Sequence, residues 1–477
     1  MSQFNQVKGG DCRVLLYPES SLKTLASPVQ AVEIPFISES LTAKPSKQTK
    51  ATVRGKRGPG RPFRGMWQFG GGLSVPANTH LIPHLVTALC GAATKTEPAG
   101  LTLDAGDAVD QGEGYVGLPC AAHGFEIDAV VSVSGTTSYD GTYRVEQGST
   151  ADLLVIYAGT YAAETFGGTE AVQRGRVVKL DAGGAAVNKG GGKVGLPAAG
   201  HGFFAGERVT VAGTTNYNAA YTLDEDTSRN EMVVTASYVT ETFAGDETVA
   251  AKFYKRAWDL PKVQPSRMAE VEFGFDSGAA DNPVDRHYGA KVGKLAFNYG
   301  DDGQLTLDFE ISQSKYQQAA AVLASDAAIA VLPDCDFGMF EVAVYLDGAR
   351  LGEVEKGSLD LGLNLERKAA VGQRGEYGKV TEGDPALSAS LDCFLEDDTL
   401  LAKARADTTV EFAIAFFGAR GEEFWITYPE AELNTDGPQI SGKGGINVTF
   451  EVMGFVDQAD AAVQFAYFHQ VPSILGE

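Results

Sequence analysis

The chain has 477 residues, 44% hydrophobic and 21% charged, which are the proportions of a folded protein of about three domains. Its net charge of −23 disfavours a general nucleic-acid binder, because phosphate affinity comes from Lys and Arg releasing counterions. Glycine is abundant at 57 residues, which argues for many turns and short strands, since glycine loses most entropy inside helices.

The charge is uneven. Residues 1–65 carry eleven Lys/Arg and four Asp/Glu, a net of +7, which leaves −30 for the remainder. A basic arm on an acidic body points to a protein that packs against copies of itself. The five cysteines, Cys12, Cys90, Cys120, Cys335 and Cys393, are far apart and show no CxxC spacing, so they read as reduced and mostly buried. The N-terminus lacks a signal-peptide pattern, and no run approaches the roughly 18 apolar residues needed to span a membrane.

In chain order, Val14-Leu15-Leu16-Tyr17 precedes Glu39-Ser40-Leu41. A basic loop over residues 44–64 follows, with Lys44, Lys47, Lys50, Arg54, Lys56, Arg57, Arg61 and Arg64 and no acid. Next come Leu73-Ser74-Val75 and an apolar stretch from Leu81 to Leu89, where Pro83 predicts the first turn of a helix. His80 and His84 have the i, i+4 spacing of a helical zinc site, but the helix start leaves His80 outside and no HExxH follows, so no metal is assigned.

The middle of the chain repeats. Val-Gly-Leu-Pro, His123-Gly124-Phe125, Gly135-Thr136-Thr137, Tyr139 and Tyr143 recur at an offset of 78 as Val-Gly-Leu-Pro, His201-Gly202-Phe203, Gly213-Thr214-Thr215, Tyr217 and Tyr221. Short alternating runs between Gly, Asn and Thr turns predict two small all-β modules, 109–188 and 189–251. The recurrence of both histidines favours a packing or turn role, because a catalytic residue seldom needs duplication. Ligand binding by the modules stays open.

A fainter repeat flanks this insert. Val342-Ala343-Val344-Tyr345, Gly357-Ser358-Leu359, Arg374-Gly375, Leu387-Ser388-Ala389 and Asp398-Thr399-Leu400-Leu401 echo the N-terminal series. Val271-Glu272-Phe273 is matched with Val410-Glu411-Phe412. Residues 304–311 and 446–452 alternate strictly, with Leu305, Leu307, Phe309 and Ile311 against Ile446, Val448, Phe450 and Val452, as half-buried strands do. The expected organisation is a mainly β chain with two tandem domains. The first is 1–108 plus 252–330, interrupted by the modules, and the second is 331–477.

Residues 36–41 (Phe-Ile-Ser-Glu-Ser-Leu), the loop ending in Arg64-Gly65, the run from Gly70 to Val75, the segment Leu85 to Gly91 and the run Tyr288 to Leu295 resemble the tail tube proteins of long-tailed bacteriophages. The resemblance covers the two larger domains and not the insert. It implies β-sandwich domains, each with a flanking helix, whose sheets join into a continuous inner barrel and whose long loop reaches the adjacent ring. Stacked six-fold or pseudo-six-fold rings would then carry genomic DNA through the lumen without specific binding. Two such domains per chain imply a ring of three chains. The implied partners are other copies of the chain and the tape measure, terminator and distal tail proteins. The implied place is the virion tail tube, assembled in the host cytoplasm, with no membrane and no cofactor.

Two functional classes compete for the remaining motifs. Gly58-Pro59-Gly60-Arg61-Pro62 is similar to a minor-groove hook, but Pro59 stands where the first arginine would be, and the acidic remainder favours an inter-ring loop. No Ser/His/Asp or Cys/His constellation and no phosphate-binding loop is assignable, so the reading is not an enzyme. The alternative is a virion decoration or receptor- or carbohydrate-binding tail protein that acts through the modules.

Overall fold

The computed structural model describes residues 9–49, 61–96, 100–201, 203, 207–274, 283–300, 303–332, 337–338, 341–352, 354–373, 375–395, 398–418, 421–438, 445–459, 461–469 and 474. Alternating sequence becomes β-structure throughout. Leu307, Phe309 and Ile311 of strand Thr306–Ser312 are buried while Asp308 and Glu310 are exposed, and Val448, Phe450 and Val452 of Asn447–Gly454 are buried while Asn447, Thr449 and Glu451 are exposed.

One 20-stranded sheet takes in strands from residue 13 to residue 469. It bends into two layers because two long strands pass through both. The N-terminal part of Val284–Tyr299 lies between Arg267–Glu272 and Lys315–Ala319, and its C-terminal part lies between Thr306–Ser312 and Val354–Gly362. The strand Glu423–Asn434 likewise pairs first with Val410–Phe417 and Gln464–His469, then with Asn447–Gly454. The order of pairing around the first long strand recurs around the second. Arg13–Ser21, Arg267–Glu272, Val284–Tyr299 and Lys315–Ala319 are matched by Val342–Leu346, Val410–Phe417, Glu423–Asn434 and Gln464–His469. Even the bulge recurs, between Arg267 and Ala269 in one case and between Val410 and Phe412 in the other.

The shared bulge shifts the internal alignment. Val410 stands where Arg267 does, so Val271 corresponds to Ile414 rather than to Val410. Leu73 lies opposite Phe309 and Leu391 opposite Phe450, so Leu73 corresponds to Leu391 rather than to Leu387. Both shifts are even. A strand moved by two or four residues keeps its apolar face, so the alternation alone does not fix the register.

Between the layers lies a single core that joins both parts of the chain, including Leu73, Phe297, Leu307, Leu359, Phe416 and Phe450. Phe297 meets Phe416 edge-on at 5.3 Å. The helix Ile82–Cys90 caps this core with Ile82, Leu85, Val86 and Leu89. Asn78 Oδ1 accepts the backbone N–H of His80 (2.8 Å) and Leu81 (3.1 Å) ahead of it, and Pro83 sits in its first turn as expected. The counterpart helix Thr399–Arg405 ends in Lys403 and Arg405, where positive charge suits the helix dipole.

Counted from residue 100 to residue 252, the insert forms strand pairs only within itself among the described residues. Strands Leu101–Thr102 and Gly106–Asp107, placed before the insert by sequence, pair with Ala171–Lys179 and Thr165–Phe166 inside it. The strand Ala171–Lys179 is shared between the modules. Its first part pairs with Val130–Ser134 and its second with Thr248–Lys252, so one seven-stranded sheet runs through both. Each module keeps its own core, around Val131 and Ile156 in one and around Val209 and Val234 in the other.

Strands Thr94–Thr96 and Tyr254–Asp259 lead into and out of the insert. They pair with each other, and the second also pairs with Gln464–His469. Residues of the expected first domain thereby extend a sheet of the expected second. Cys120 and Cys393 are buried, and Cys12 and Cys90 are half-buried; Cys335 lies outside the described residues. Burial pushes the Cys120 thiol up to about 11, which keeps it protonated and a poor nucleophile at neutral pH.

Candidate assembly surfaces

The outer face of one layer is polar. In spatial order its strands are Ser38–Glu39, Gly72–Pro76, Thr306–Ser312, the end of Val284–Tyr299, Val354–Gly362, Ala386–Phe394, Asn447–Gly454 and the end of Glu423–Asn434. Residues that alternate with the core leave Asp308, Glu310, Asp360, Asp392, Glu432 and Glu451 on this face, against Lys294 and Lys356. Both lysines are matched across strands, Lys294 to Asp360 and Lys356 to Asp392 at 3.9 Å. The face is therefore a net-acidic wall, on which Phe394 and Met453 are also exposed.

At its centre is a joint between distant parts of the chain. Residues 294–299 pair with residues 357–362 in six antiparallel pairs, from Lys294 opposite Gly362 to Tyr299 opposite Gly357. At the two ends of the wall, among the described residues, strand Ser38–Glu39 pairs with Gly72–Pro76 alone, and Leu433 and Asn434 pair with Val452 and Glu451 alone. Among the described residues no strand covers the outer side of either end.

The described ends of the basic stretch lie on a hairpin, Thr42–Gln48 with Phe63–Gly70. Lys44 and Lys47 lie on its first strand and Arg64 on its second, with Arg61 just before it. Lys50, Arg54, Lys56 and Arg57 lie outside the described residues. The guanidinium of Arg64 covers the Trp67 ring at 4.4 Å, and Phe63 and Met66 are exposed. The root of the hairpin is anchored: Trp67 N donates to Gly375 O (2.9 Å), Arg367 donates to Phe69 O (3.0 Å), and Trp67 meets Tyr316 at 5.3 Å.

The repeated module motif builds a turn. His123 and His201 are buried, and Nδ1 of each accepts the backbone N–H two residues on, from Phe125 and Phe203, at 3.0 Å. Each imidazole stacks on that phenyl ring. Gly124 takes φ of +58°, a left-handed value that suits glycine; Gly202 lies outside the described residues. Burial pushes the His201 imidazole below its usual value, against the pull of the Ser228 carbonyl, and only the neutral ring can accept at Nδ1. The repeated Tyr139 and Tyr217 close the modules, their hydroxyls donating to the carbonyls of Ala162 and Val239 and accepting the N–H of the same residues (2.9 Å). Replacing Tyr139 by phenylalanine leaves the Ala162 groups unpaired. It should destabilise the first module by about 1–3 kcal/mol, read as faster amide exchange there. Among the described residues no group of three His, Cys, Asp or Glu is arranged to hold a metal.

Sequence reasoning missed a buried ionic knot. Arg174 of the insert is clamped between Glu126 of the same module and Glu423 of the long strand Glu423–Asn434; Arg174 and Glu423 are buried. Glu423 also accepts from Trp425 Nε1 (3.0 Å) and Val130 N (3.3 Å), and the Arg174 guanidinium lies 3.8 Å over the Phe468 ring. Nearby, Arg350 pairs with Asp128 at 2.6 Å and the Tyr345 hydroxyl donates to Ile127 O (3.0 Å). The first module thus covers the outer face of the second layer, where Tyr345, Ala415 and Trp425 form their own apolar cluster. That is the side of the sandwich away from the acidic wall. Arg174 and Glu423 are 249 residues apart, and no local signal links them.

A family model described as phage tail tube protein matches residues 181–454. The chain belongs to this family. No curated protein matches it. As a phage tail tube protein it is a structural component of a virion tail and associates with itself. The matched stretch takes in the joint, most of the acidic wall and both long strands. It also takes in the second module, which the sequence resemblance left out, and it stops short of residues 36–91, on which that resemblance partly rested.

Proposed function

We propose that three copies of this tail tube protein form a ring of six similar units, and that stacked rings form the conduit for genome ejection. The observation that carries this reading is the joint between residues 294–299 and 357–362. It joins two units with the same order of pairing into one sheet inside a single chain. Repeating it between chains adds units to the sheet, and closing the ring removes the open edges that would otherwise template aggregation.

In this arrangement the two units are the tandem tube domains. One is built from residues up to about 100 and from 253 to 330, the other from 331 to 477. The acidic wall lines the lumen, where like charge keeps passing DNA from adhering. The insert, docked on the opposite side, projects outward as decoration. The tip of the basic hairpin stacks on an acidic surface of the next ring. Tape measure, terminator and distal tail proteins meet the tube at its ends, and assembly takes place in the host cytoplasm.

Negative-stain microscopy with mass measurement of the purified protein tests the reading. Hollow tubes with three chains per ring are expected, and six chains per ring or persistent monomers would overturn it. The double variant Lys56→Glu, Arg57→Glu should leave the subunit folded and block stacking; tubes of normal length from it would dispose of the hairpin's role.

A further inference from the structure

We infer that residues 435–438 are an unformed strand, which completes the acidic wall only when residues 38–44 of a second copy dock beside it. This rests on the ring reading above and names the two edges, their register and the switch between them.

The two long strands correspond in register once the bulge between Val292 and Lys294, which the second strand lacks, is allowed for. Lys294 lies opposite Glu310 and Asn434 opposite Glu451, and Glu310 and Glu451 occupy the same place in their alternating strands. Beyond Lys294 the first long strand continues to Tyr299, held on its outer side by residues 357–362. Beyond Asn434 the second stops, and its neighbour Asn447–Gly454 runs on, paired with Ala386–Phe394 but, among the described residues, with no strand on this side. The same chain position is strand where a partner edge grips it and not strand where none does.

The segment is held aside by its own side chains. Thr435 Oγ1 donates to Thr449 O (2.8 Å) and accepts the N–H of Gly437 (3.1 Å), and Gly437 takes φ of +82°. A polar groove remains between residues 434–437 and strand Asn447–Gly454, lined by Asp436, Asn447, Thr449 and Glu451. Glycine at 437 lets the backbone move from this left-handed turn to an extended form without a Cβ penalty. An edge that is turned away until its partner arrives is also protected from pairing with wrong strands.

The occupant follows from the joint. Glu39 lies opposite Leu73 as Gly357 lies opposite Leu391, and Thr42 lies opposite Gly70 as Asp360 lies opposite Ser388. Residues 39–44 therefore hold the place of residues 357–362, with no strand on their outer side among the described residues. Transferring the register of the joint sets Asn434 opposite Lys44, and Asp436 opposite Thr42, of the second copy. The burial agrees: Asp436 and Thr42 are exposed on the polar side, while Thr435 and Ala43 are half-buried toward the core. Lys44 then flanks Asp436, a favourable pair on an otherwise acidic wall. Lys44, grouped by sequence with the inter-ring loop, belongs in this arrangement to ring closure.

Disulfide trapping in the full chain tests this. Tubes of the double variant Thr42→Cys, Asp436→Cys should yield chains covalently linked into dimers and trimers on mild oxidation. Ala296→Cys with Asp360→Cys, opposite each other in the internal joint, should close within one chain. Hollow tubes in which the internal pair closes but the inter-chain pair does not would overturn the latch and leave the ring standing. Absence of any hollow assembly from the unaltered protein would overturn the ring and the latch together. Amide exchange on the unaltered protein gives an independent readout. Thr435, Asp436 and Gly437 should slow at least tenfold from subunit to tube, and unchanged exchange in assembled tubes would overturn the latch.

Discussion

Replacing Arg174 by leucine is expected to loosen the first module from the tube body. The guanidinium is buried between Glu126 and Glu423, and Glu423 is fully buried. Removing one partner of such a pair leaves an uncompensated buried charge, which costs about 3–5 kcal/mol. Val130 N and Trp425 Nε1 would still donate to Glu423, but neither carries a charge. Amide exchange in strand Val130–Ser134 and at residues 423–427 should accelerate by roughly a hundredfold or more, because each 1.4 kcal/mol is about a factor of ten. Adding Glu423→Leu to Arg174→Leu removes the stranded charge and should recover much of the loss. A single variant with unchanged exchange and unchanged thermal unfolding would show that the knot does not hold the module. The geometry makes a further distinction: the loss should concentrate at the docking face and spare the second module, which has its own core around Val209 and Val234.

Phe297→Ala should have an effect of similar size on the body itself. Phe297 is 2% exposed, sits at the centre of the joint opposite Leu359, and packs edge-on against Phe416. Truncating a buried phenylalanine costs about 3–5 kcal/mol, through lost burial and the cavity left behind. The loss falls on the contact that unites both units, so denaturant unfolding should broaden or split where the native chain unfolds the body as one. Tube yield should fall, since a loose joint no longer sets the angle between neighbouring units. Phe297→Leu, which refills most of the space, should restore most of the stability. A single sharp transition at the native midpoint for Phe297→Ala would contradict a shared core.

Much of this was legible in the sequence. The buried rows Leu305, Leu307, Phe309, Ile311 and Val448, Phe450, Val452 follow from period-two alternation, which depends only on near neighbours. Pro83 marked the start of the first helix, because a fixed φ and a missing N–H suit only the first turn. The repeated His-Gly-Phe and Gly-Thr-Thr motifs were legible because they are local and undamaged. The weaker correspondence was found but misregistered at Leu387 and Val410, because even shifts preserve the alternation, and only the paired strands and their common bulge resolve them.

The sequence by itself determined that the chain is mainly β, that it repeats at two scales, and that its N-terminal part is basic on an acidic whole. Those properties are set by residue type and short-range spacing. Only the tertiary structure decided which strands meet. It placed Tyr254–Asp259 beside Gln464–His469, drew Arg174 onto Glu423, and joined residues 294–299 to 357–362 while leaving residues 435–438 turned aside. Strand partners are chosen by burial and backbone hydrogen bonding between segments far apart in the chain, and a single strand carries no record of which neighbour will satisfy its edge.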